Sequence, residues 1–204
     1  MSISLPEFLA PLPRNIAFFS ETRGGKDTAY SIIESLEYDV TRMAFGDEMK
    51  ELFYLCFPNA PREPKPTEMM VQFGQSLRAI DENVFVNRVR RKIFSQQTYW
   101  DIYNNPHKSF IFTDVRQQNE YDFCKNEMNC VMVKIVSLKK NRVERMRQLG
   151  EDTSEKILNA ETETTLQSFP ADIVIFNDGS LWDFKKEITE LIYKIKSAEV
   201  RKRR

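Results

Sequence analysis

Residues 20–28 combine the side chains and the backbone freedom that binding of nucleotide phosphates requires. They read Ser-Glu-Thr-Arg-Gly-Gly-Lys-Asp-Thr, and they lie between an apolar run that predicts a buried strand, 15–20, and a helical pattern, 26–36. A strand, a turn and a helix in this order direct backbone N–H groups and the positive end of the helix dipole at one point. The segment therefore predicts a phosphate-binding loop, with an ordinary strand-to-helix turn and a surface lysine as the alternative.

The side chains of this loop fit the same chemistry. Gly24 and Gly25 let the backbone approach phosphate oxygens without a Cβ clash. Lys26 is a flexible cation that reaches the β- and γ-phosphates of a nucleotide, and Thr28 can offer a hydroxyl to a phosphate.

Two positions depart from the usual pattern GxxxxGK[ST]. Ser20 stands in place of the first glycine, and Asp27 stands where a serine or threonine usually binds magnesium. The strand before the loop and the helix after it still favour a nucleotide site, because the backbone supplies most of the contacts to the phosphates.

A carboxylate at the end of a predicted strand is the next candidate. Residues 109–113 form an apolar run that is followed by Asp114, and ligands of open α/β sheets bind at the carboxyl ends of the strands. Asp114 can hold Mg²⁺ there, directly or through water, and Arg116 can fork onto a phosphate or a base edge. The alternative is a helix cap, because Asp114 and Gln117 have the spacing of a capping box.

Arginines supply the cations that phosphoryl transfer needs. A phosphate acceptor, with a second pKa of about 6, is largely ionised at neutral pH, so catalysis depends on alignment and positive charge. Arg142 and Arg145 share one face of a predicted helix, 139–150, which predicts a mobile lid, with a solvated charged helix as the alternative. Arg78 is a candidate for the acceptor phosphate, with a surface salt bridge as the alternative.

The composition excludes several other classes of protein. The chain has 204 residues with 30 Lys or Arg and 30 Asp or Glu, so an overall basic field for duplex nucleic acid is absent. No stretch approaches the roughly 20 apolar residues of a membrane span. The single histidine, His107, lies in a polar segment and is expected on the surface, which excludes mechanisms with two histidines. The three cysteines form no CxxC pair and indicate reduced thiols in a cytoplasmic protein.

Strands alternate with helices along the chain, which predicts an α/β fold with a parallel sheet covered on both faces. The predicted strands are 15–20, 40–45, 109–113, 130–136 and 171–176, and the predicted helices are 26–36, 47–57, 67–80, 83–94, 116–128, 139–150 and 181–195. We expect one domain, 1–204, with a core of 14–46, 108–138 and 170–197, a substrate-binding helical insertion at 47–100 and a lid at 139–163.

Four ordered blocks resemble the bacteriophage deoxynucleoside monophosphate kinases, within the P-loop nucleoside monophosphate kinase-like fold. They are Arg-Gly-Gly-Lys-Asp-Thr at 23–28, Gln-Phe-Gly-Gln-Ser-Leu-Arg at 72–78, Thr-Asp-Val-Arg-Gln-Gln-Asn-Glu-Tyr-Asp at 113–122 and Asp-Ile-Val-Ile-Phe-Asn-Asp-Gly-Ser-Leu at 172–181. The family likewise carries Gly-Lys-Asp-Thr, so Asp27 is a family trait. The departures are Ser20 and also Ala160, where the family often has a histidine ahead of Thr162 and Glu163.

The resemblance implies a three-layer P-loop kinase fold and ATP-dependent phosphorylation of deoxynucleoside 5′-monophosphates to diphosphates, with Mg²⁺. The residues that it implies for ATP are Arg23, Gly24, Gly25, Lys26, Asp27 and Thr28, with Asn177 and Gly179 near the adenine. Those that it implies for the deoxynucleotide are Lys50, Gln72, Arg78, Arg88, Asp114, Arg116 and Glu120. The expected catalytic residues are Lys26, Asp114, Arg142 and Arg145, and the expected metal ligands are Asp27 and Asp114. The expected partners are small nucleotides, a homodimer is compatible with this interpretation, and a viral protein would act in the host cytoplasm.

Two other interpretations stay open. A kinase of another phosphorylated metabolite, such as dephospho-coenzyme A or phosphomevalonate, would keep Lys26, Asp114 and Arg142 but use a different acceptor pocket within 45–100. A non-catalytic nucleotide-binding regulator would bind ATP and transfer nothing. Measurement of ADP release with a panel of acceptors separates the three hypotheses.

Overall fold

A computed structural model describes residues 10–150, 153 and 161–202, and for residues 161–164 and 202 it describes the backbone alone. The chain divides into two compact units. The first consists of Met1–Met43 and Lys108–Arg204, and the second is Ala44–His107. The helical insertion predicted at 47–100 lies within the second unit.

The first unit is built on a parallel sheet, which confirms the predicted α/β class. Its strands in the described part of the chain are β1 Ile16–Phe19, β2 Val40–Met43, β3 Ser109–Phe112, β4 Val131–Val136 and β5 Ile173–Phe176. Their order is β2-β3-β1-β4-β5, and every neighbouring pair is parallel. Because β1 lies in the middle, the loop that follows it emerges between the carboxyl ends of β3 and β4.

Helices connect and extend these strands. Those of the first unit are α1 Lys26–Ser35, α5 Gln118–Asp122, α6 Lys139–Gln148, α7 Glu161–Ser168 and α8 Leu181–Lys202, and those of the second are α2 Phe45–Cys56, α3 Thr67–Ile80 and α4 Val84–Ile102. A π-helix, Phe123–Glu127, continues α5 directly, where the sequence predicts a single helix. Helix α7 was not predicted. Helices α4 and α8 run past their predicted ends at 94 and 195 because no glycine or proline interrupts the extensions.

Side chains from helices cover both faces of the sheet. On one face, Phe18 of β1 belongs to an apolar core that it shares with α1 and α8. Successive strand residues point to opposite faces, so Phe19 lies on the other face, where its ring centre is 6.2 Å from that of Tyr121 in α5. On the same side as Phe19, the ring centre of Phe112 lies 6.0 Å from that of Phe123 in the π-helix. This arrangement has three layers, as predicted.

The second unit is helical and has its own small core. The ring of Phe53 in α2 lies 5.2 Å from that of Phe57 and 5.5 Å from that of Phe73 in α3. Glu48 is buried in α2, and its carboxylate accepts a hydrogen bond of 2.8 Å from Lys92 in α4. Apolar contacts and an ion pair between buried Glu48 and half-exposed Lys92 therefore join the helices of this unit.

Other expectations from composition can be compared with the structure. Within the described ranges, no helix has the length and apolar character needed to cross a membrane. His107 is exposed, as predicted, and its Nε2 lies 2.7 Å from Asp101 Oδ1. Cys56, Cys124 and Cys130 are free thiols, and burial raises the pKa of Cys124 well above its ordinary value.

Replacing Phe18 by alanine tests the central position of β1. The Phe18 side chain is fully buried, so we expect the Phe18→Ala variant to lose about 3–5 kcal/mol of the free energy of unfolding, since a cavity replaces the ring. Urea unfolding followed by circular dichroism measures this loss. The control is Tyr193→Ala on α8, a residue whose exposed fraction is 73%, where a change within about 0.5 kcal/mol is expected. Equal losses in both variants would contradict this description of the core.

Candidate functional site

The loop between β1 and α1 has the backbone geometry of an anion site. Arg23 and Gly25 have positive φ angles of 59° and 112°, and the latter is a conformation that favours glycine. Gly25 is the N-cap of α1 and has no side chain with which to cap the N–H groups of the first turn. A Cβ at Gly24 would collide with the Ser20 side chain. The N–H groups at the start of α1 are thus free of a side-chain cap, as the sequence predicts for a phosphate-binding loop.

Every carbonyl group from residue 20 to residue 24 accepts a hydrogen bond from the protein itself. The pairs are Ser20 O with Lys26 Nζ at 2.8 Å, Glu21 O with Gly24 N at 3.0 Å, Thr22 O with an Arg142 guanidinium nitrogen at 3.3 Å, Arg23 O with Arg145 at 3.0 Å, and Gly24 O with Asn177 Nδ2 at 2.9 Å. A carbonyl oxygen that faced a phosphate would repel it. Donors that hold these oxygens therefore favour an anion at the N–H groups of the loop.

Lys26 is held against the start of the loop. Its Nζ donates to Ser20 O at 2.8 Å and to Ser20 Oγ at 3.0 Å, and its side chain is largely buried. The serine that departs from the usual pattern therefore provides an additional acceptor for the lysine. The structure places Lys26 where the sequence predicts it, beside the N-terminus of α1.

Helix α6 contacts this loop through Arg142. One guanidinium nitrogen lies 2.8 Å from a carboxylate oxygen of Glu21, another donates to Thr22 O, and the exposed fraction of the Arg142 side chain is only 5%. Met146 is buried on the same helix. The alternative of a fully solvated charged helix is therefore wrong for this part of α6, because the loop offers acceptors that bury Arg142. The mobile lid stays a prediction. The rest of the predicted lid, including Ala160, lies largely outside the described residues.

Arg145 connects three segments of the chain. It donates to Arg23 O in the loop at 3.0 Å, to Ser137 Oγ before α6 at 3.1 Å, and to Asn177 O after β5 at 2.7 Å. Burial lowers the pKa of Arg145, and the nearby charge of Asp178 opposes that shift. These contacts favour a positioning role for Arg145 over the catalytic role that the sequence suggested.

The segment after β5 completes the support of the loop. Asn177 is buried, and its side chain holds Gly24 O, as given above. Asp178, which the sequence analysis did not single out, accepts a hydrogen bond of 2.6 Å from the N–H of Leu138 at the start of α6. Desolvation would raise the pKa of Asp178, but this bond and those from Asn141 and Ser137 lower it. The contact with adenine expected for Asn177 and Gly179 stays a prediction.

Asp114 is the second residue after β3 and is half-buried. Because β3 pairs with β1, Asp114 and the phosphate-binding loop lie at the same edge of the sheet. The capping box that was the alternative for Asp114 and Gln117 is not the one observed, because the box at the start of α5 consists of Gln117 and Glu120. Buried Glu120 accepts hydrogen bonds from the N–H groups of Arg116 at 2.8 Å and Gln117 at 3.1 Å. Its carboxylate thus positions the Arg116 backbone, and a contact with substrate stays a prediction for both residues.

The two proposed metal ligands differ in their surroundings. Asp27 is exposed, and its carboxylate lies 3.0 Å from the guanidinium of Arg42, which competes for it. The residue before Asp114 offers a second possible ligand oxygen. This is Thr113 Oγ1, which is buried and has no hydrogen-bond partner within the described residues. Mg²⁺ in nucleotide enzymes needs only one or two carboxylates, with phosphates and water as its other ligands. The residues after β3 therefore fit a hydrated magnesium ion better than Asp27 does.

The second unit contains the remaining acceptor candidates. The guanidinium carbon of Arg78 lies 4.7 Å from the centre of the Phe85 ring. Arg88 pairs with buried Glu48 at 3.2 Å and lines a cavity of about 320 Å³ with Glu51, Arg91, Lys92 and Ser95. Lys50 pairs with Asp47 at 2.8 Å, and Gln72 is exposed. Within this unit, Arg88 faces a polar cavity, whereas Arg78 stacks on an aromatic ring, and their contact with an acceptor stays a prediction.

Comparisons with known proteins agree with this geometry. A family model described as deoxynucleotide monophosphate kinase matches residues 75–188. Among solved structures, TT1252 from Thermus thermophilus has 19% identity and a TM-score of 0.57, covering 89% of this chain and 97% of its own. The shikimate kinase from Acinetobacter baumannii has 15% identity and a TM-score of 0.53, covering 90% of this chain and 95% of its own. A gluconokinase from Sinorhizobium meliloti 1021 has 10% identity and a TM-score of 0.51, covering 94% of this chain and 98% of its own. At such identities these structures show the fold alone. No curated protein matches the sequence.

Removing Arg145 tests whether it supports the loop. We expect Arg145→Ala to lower the free energy of unfolding by about 1–3 kcal/mol, because charge-assisted hydrogen bonds to two backbone carbonyls are lost. Amide hydrogen exchange at residues 22–25 should also accelerate, and Arg145→Lys should restore only part of the protection, since lysine cannot fork. The matched control is Arg147→Ala on the same helix, where the side chain is 67% exposed. Unchanged exchange in the loop of Arg145→Ala would refute the supporting role.

Proposed function

This chain belongs to the deoxynucleotide monophosphate kinase family, whose model matches more than half of its length, and we propose that it transfers the γ-phosphoryl group of ATP to a deoxynucleoside 5′-monophosphate. Family and fold make it a phosphotransferase that acts on nucleotides. The observation that supports this proposal most strongly is the loop at the end of β1. Its carbonyl oxygens accept hydrogen bonds from the protein, and α1 begins directly after it.

On the donor side, the loop provides binding and charge. The N–H groups at the start of α1 would hold the β- and γ-phosphates of ATP. Lys26 would leave its acceptors on Ser20 and follow the charge that moves between these phosphates, an interaction that is strongest in the transition state. Asp114 would hold Mg²⁺ through water, and the ion would supply charge that neutralises part of the charge of the phosphates.

On the acceptor side, the reaction requires positioning more than proton transfer. The phosphate of a nucleoside monophosphate, with a second pKa of about 6, is already largely ionised at neutral pH. This agrees with a chain whose single histidine is exposed and pairs with Asp101. We propose that Arg78 and Arg88 contact the acceptor, because both are arginines that can fork onto phosphate oxygens.

ADP release measured with a panel of acceptors tests the reaction. We expect release that depends on the addition of dAMP, dCMP, dGMP or dTMP, with preference for at least one of them. Lys26→Ala should lower the rate by about 10²–10³-fold, the usual effect of removing one group that stabilises transition-state charge. Circular dichroism of this variant controls for folding. ADP release that needs dephospho-coenzyme A or phosphomevalonate, or no release with any acceptor, would contradict the proposed substrate class.

Arg78→Ala tests the acceptor site separately from the donor site. Loss of a charge-assisted hydrogen bond should raise the KM for the deoxynucleotide by about tenfold to a hundredfold. The dissociation constant for ATP, measured by titration calorimetry, should be nearly unchanged. Arg90→Ala, an exposed arginine of α4, is the control for general charge loss. An equal loss of affinity for both ligands would show that Arg78 does not belong to an acceptor site.

A further inference from the structure

Glu21 is an unexpected residue in a phosphate-binding loop. It is the acidic residue of the segment 20–26, which otherwise carries Arg23 and Lys26. A carboxylate opposes the binding of a triphosphate by like-charge repulsion, unless a cation neutralises it. The contacts of Glu21 therefore affect the affinity of the loop for a nucleotide.

The structure pairs Glu21 with Arg142 of α6. Their charged atoms lie 2.8 Å apart, with 5% of the arginine side chain and 33% of the glutamate side chain exposed. The same guanidinium donates to Thr22 O, the next residue of the loop. The Glu21 carboxylate thus holds the Arg142 guanidinium against the loop, and the Thr22 carbonyl fixes the orientation of that guanidinium.

This pairing does not use the full capacity of the guanidinium. Arg142 Nε is buried and has no hydrogen-bond partner among the described residues. A buried donor without an acceptor costs free energy, so a group with more oxygens competes well against the single carboxylate. A phosphate offers such oxygens and binds guanidinium in a forked geometry.

We propose that Glu21 is an internal competitor of the nucleotide for Arg142. This inference rests on the proposed function, because it requires that a nucleoside triphosphate binds the loop. Without nucleotide, the Glu21 carboxylate holds Arg142 against the loop. When the triphosphate binds, its oxygens replace the carboxylate, and Arg142 moves from Glu21 to the phosphates. Glu21 is therefore a positioning residue. It keeps Arg142 next to the loop, and by competing for Arg142 it lowers the affinity for nucleotide.

The size of the effect follows from the population that is paired. If about four-fifths of the free molecules have Arg142 on Glu21, the apparent dissociation constant is about five times the intrinsic one. Glu21→Gln keeps the size of the side chain and removes its charge. We therefore expect this variant to bind a non-hydrolysable ATP analogue with Mg²⁺ about fivefold more tightly than the native chain.

A double-mutant cycle measured by titration calorimetry separates the competition from simple repulsion. The variants are Glu21→Gln, Arg142→Gln and the two together. The gain from Glu21→Gln should be smaller when Arg142 is absent, because only the like-charge repulsion by Glu21 then remains to be relieved. The control is Glu144→Gln, a charge change of the same size on the exposed side of α6, which should leave the affinity unchanged.

Each result decides the matter. The inference is overturned if Glu21→Gln raises the affinity equally with and without Arg142, or does not raise it at all. Binding of the ATP analogue by the native chain would still support the proposed donor site in that case. No binding by either the native chain or Glu21→Gln overturns both. If circular dichroism shows that Arg142→Gln does not fold, Arg142→Lys takes its place, and a gain that is undiminished in that background also overturns the inference.

Discussion

The rest of the candidate site depends on how the carbonyl oxygens of residues 20–24 are held. A loop that binds phosphate must turn its N–H groups toward the ligand, and its carbonyl oxygens then need donors elsewhere. Lys26 and the Gly24 N–H supply two of them from within the loop, whereas Arg142, Arg145 and Asn177 supply the other three from α6 and the end of β5. The anion site is therefore not a local property of a glycine-rich turn. It requires that the carboxyl-terminal part of the sheet is folded.

This dependence explains why basic residues of α6 are buried beside a positively charged loop. Two guanidinium groups and Lys26 would repel one another if nothing intervened. Backbone carbonyls, the carboxylate of Glu21 and the carboxylate of Asp178 at the start of α6 lie between or next to them. The resulting cluster retains the positive charge that a triphosphate needs. It also holds α6 against the loop, because Arg142 and Arg145 of α6 donate hydrogen bonds to loop carbonyls.

Much of the fold could be predicted from the sequence because the signals are local. Apolar runs indicated every strand of the sheet, and the pattern of 67–80 gave the bounds of α3. The strand–loop–helix order placed Lys26 at the start of α1, and the end of the third apolar run placed Asp114 just after β3, as the structure has them. The contacts of Arg145 and Asn177 with the loop, and of Glu21 with α6, could not be predicted, since each joins residues more than 100 positions apart along the chain. The alternative capping box, Asp114 with Gln117, lies three residues before the observed one, Gln117 with Glu120, because α5 begins at Gln118. Both pairs have the same spacing, so the sequence does not distinguish them.

Phosphorus NMR of a reaction that contains ATP, Mg²⁺ and one accepted deoxynucleoside monophosphate tests the central claim most directly, because it follows the transferred group itself. The account predicts that the γ-phosphate signal of ATP declines while the β-phosphate signal of a deoxynucleoside diphosphate rises in equal amount, with little inorganic phosphate. Such a balance means that the loop delivers the phosphoryl group to a nucleotide and that water is excluded. Accumulation of inorganic phosphate in place of the diphosphate would contradict the account.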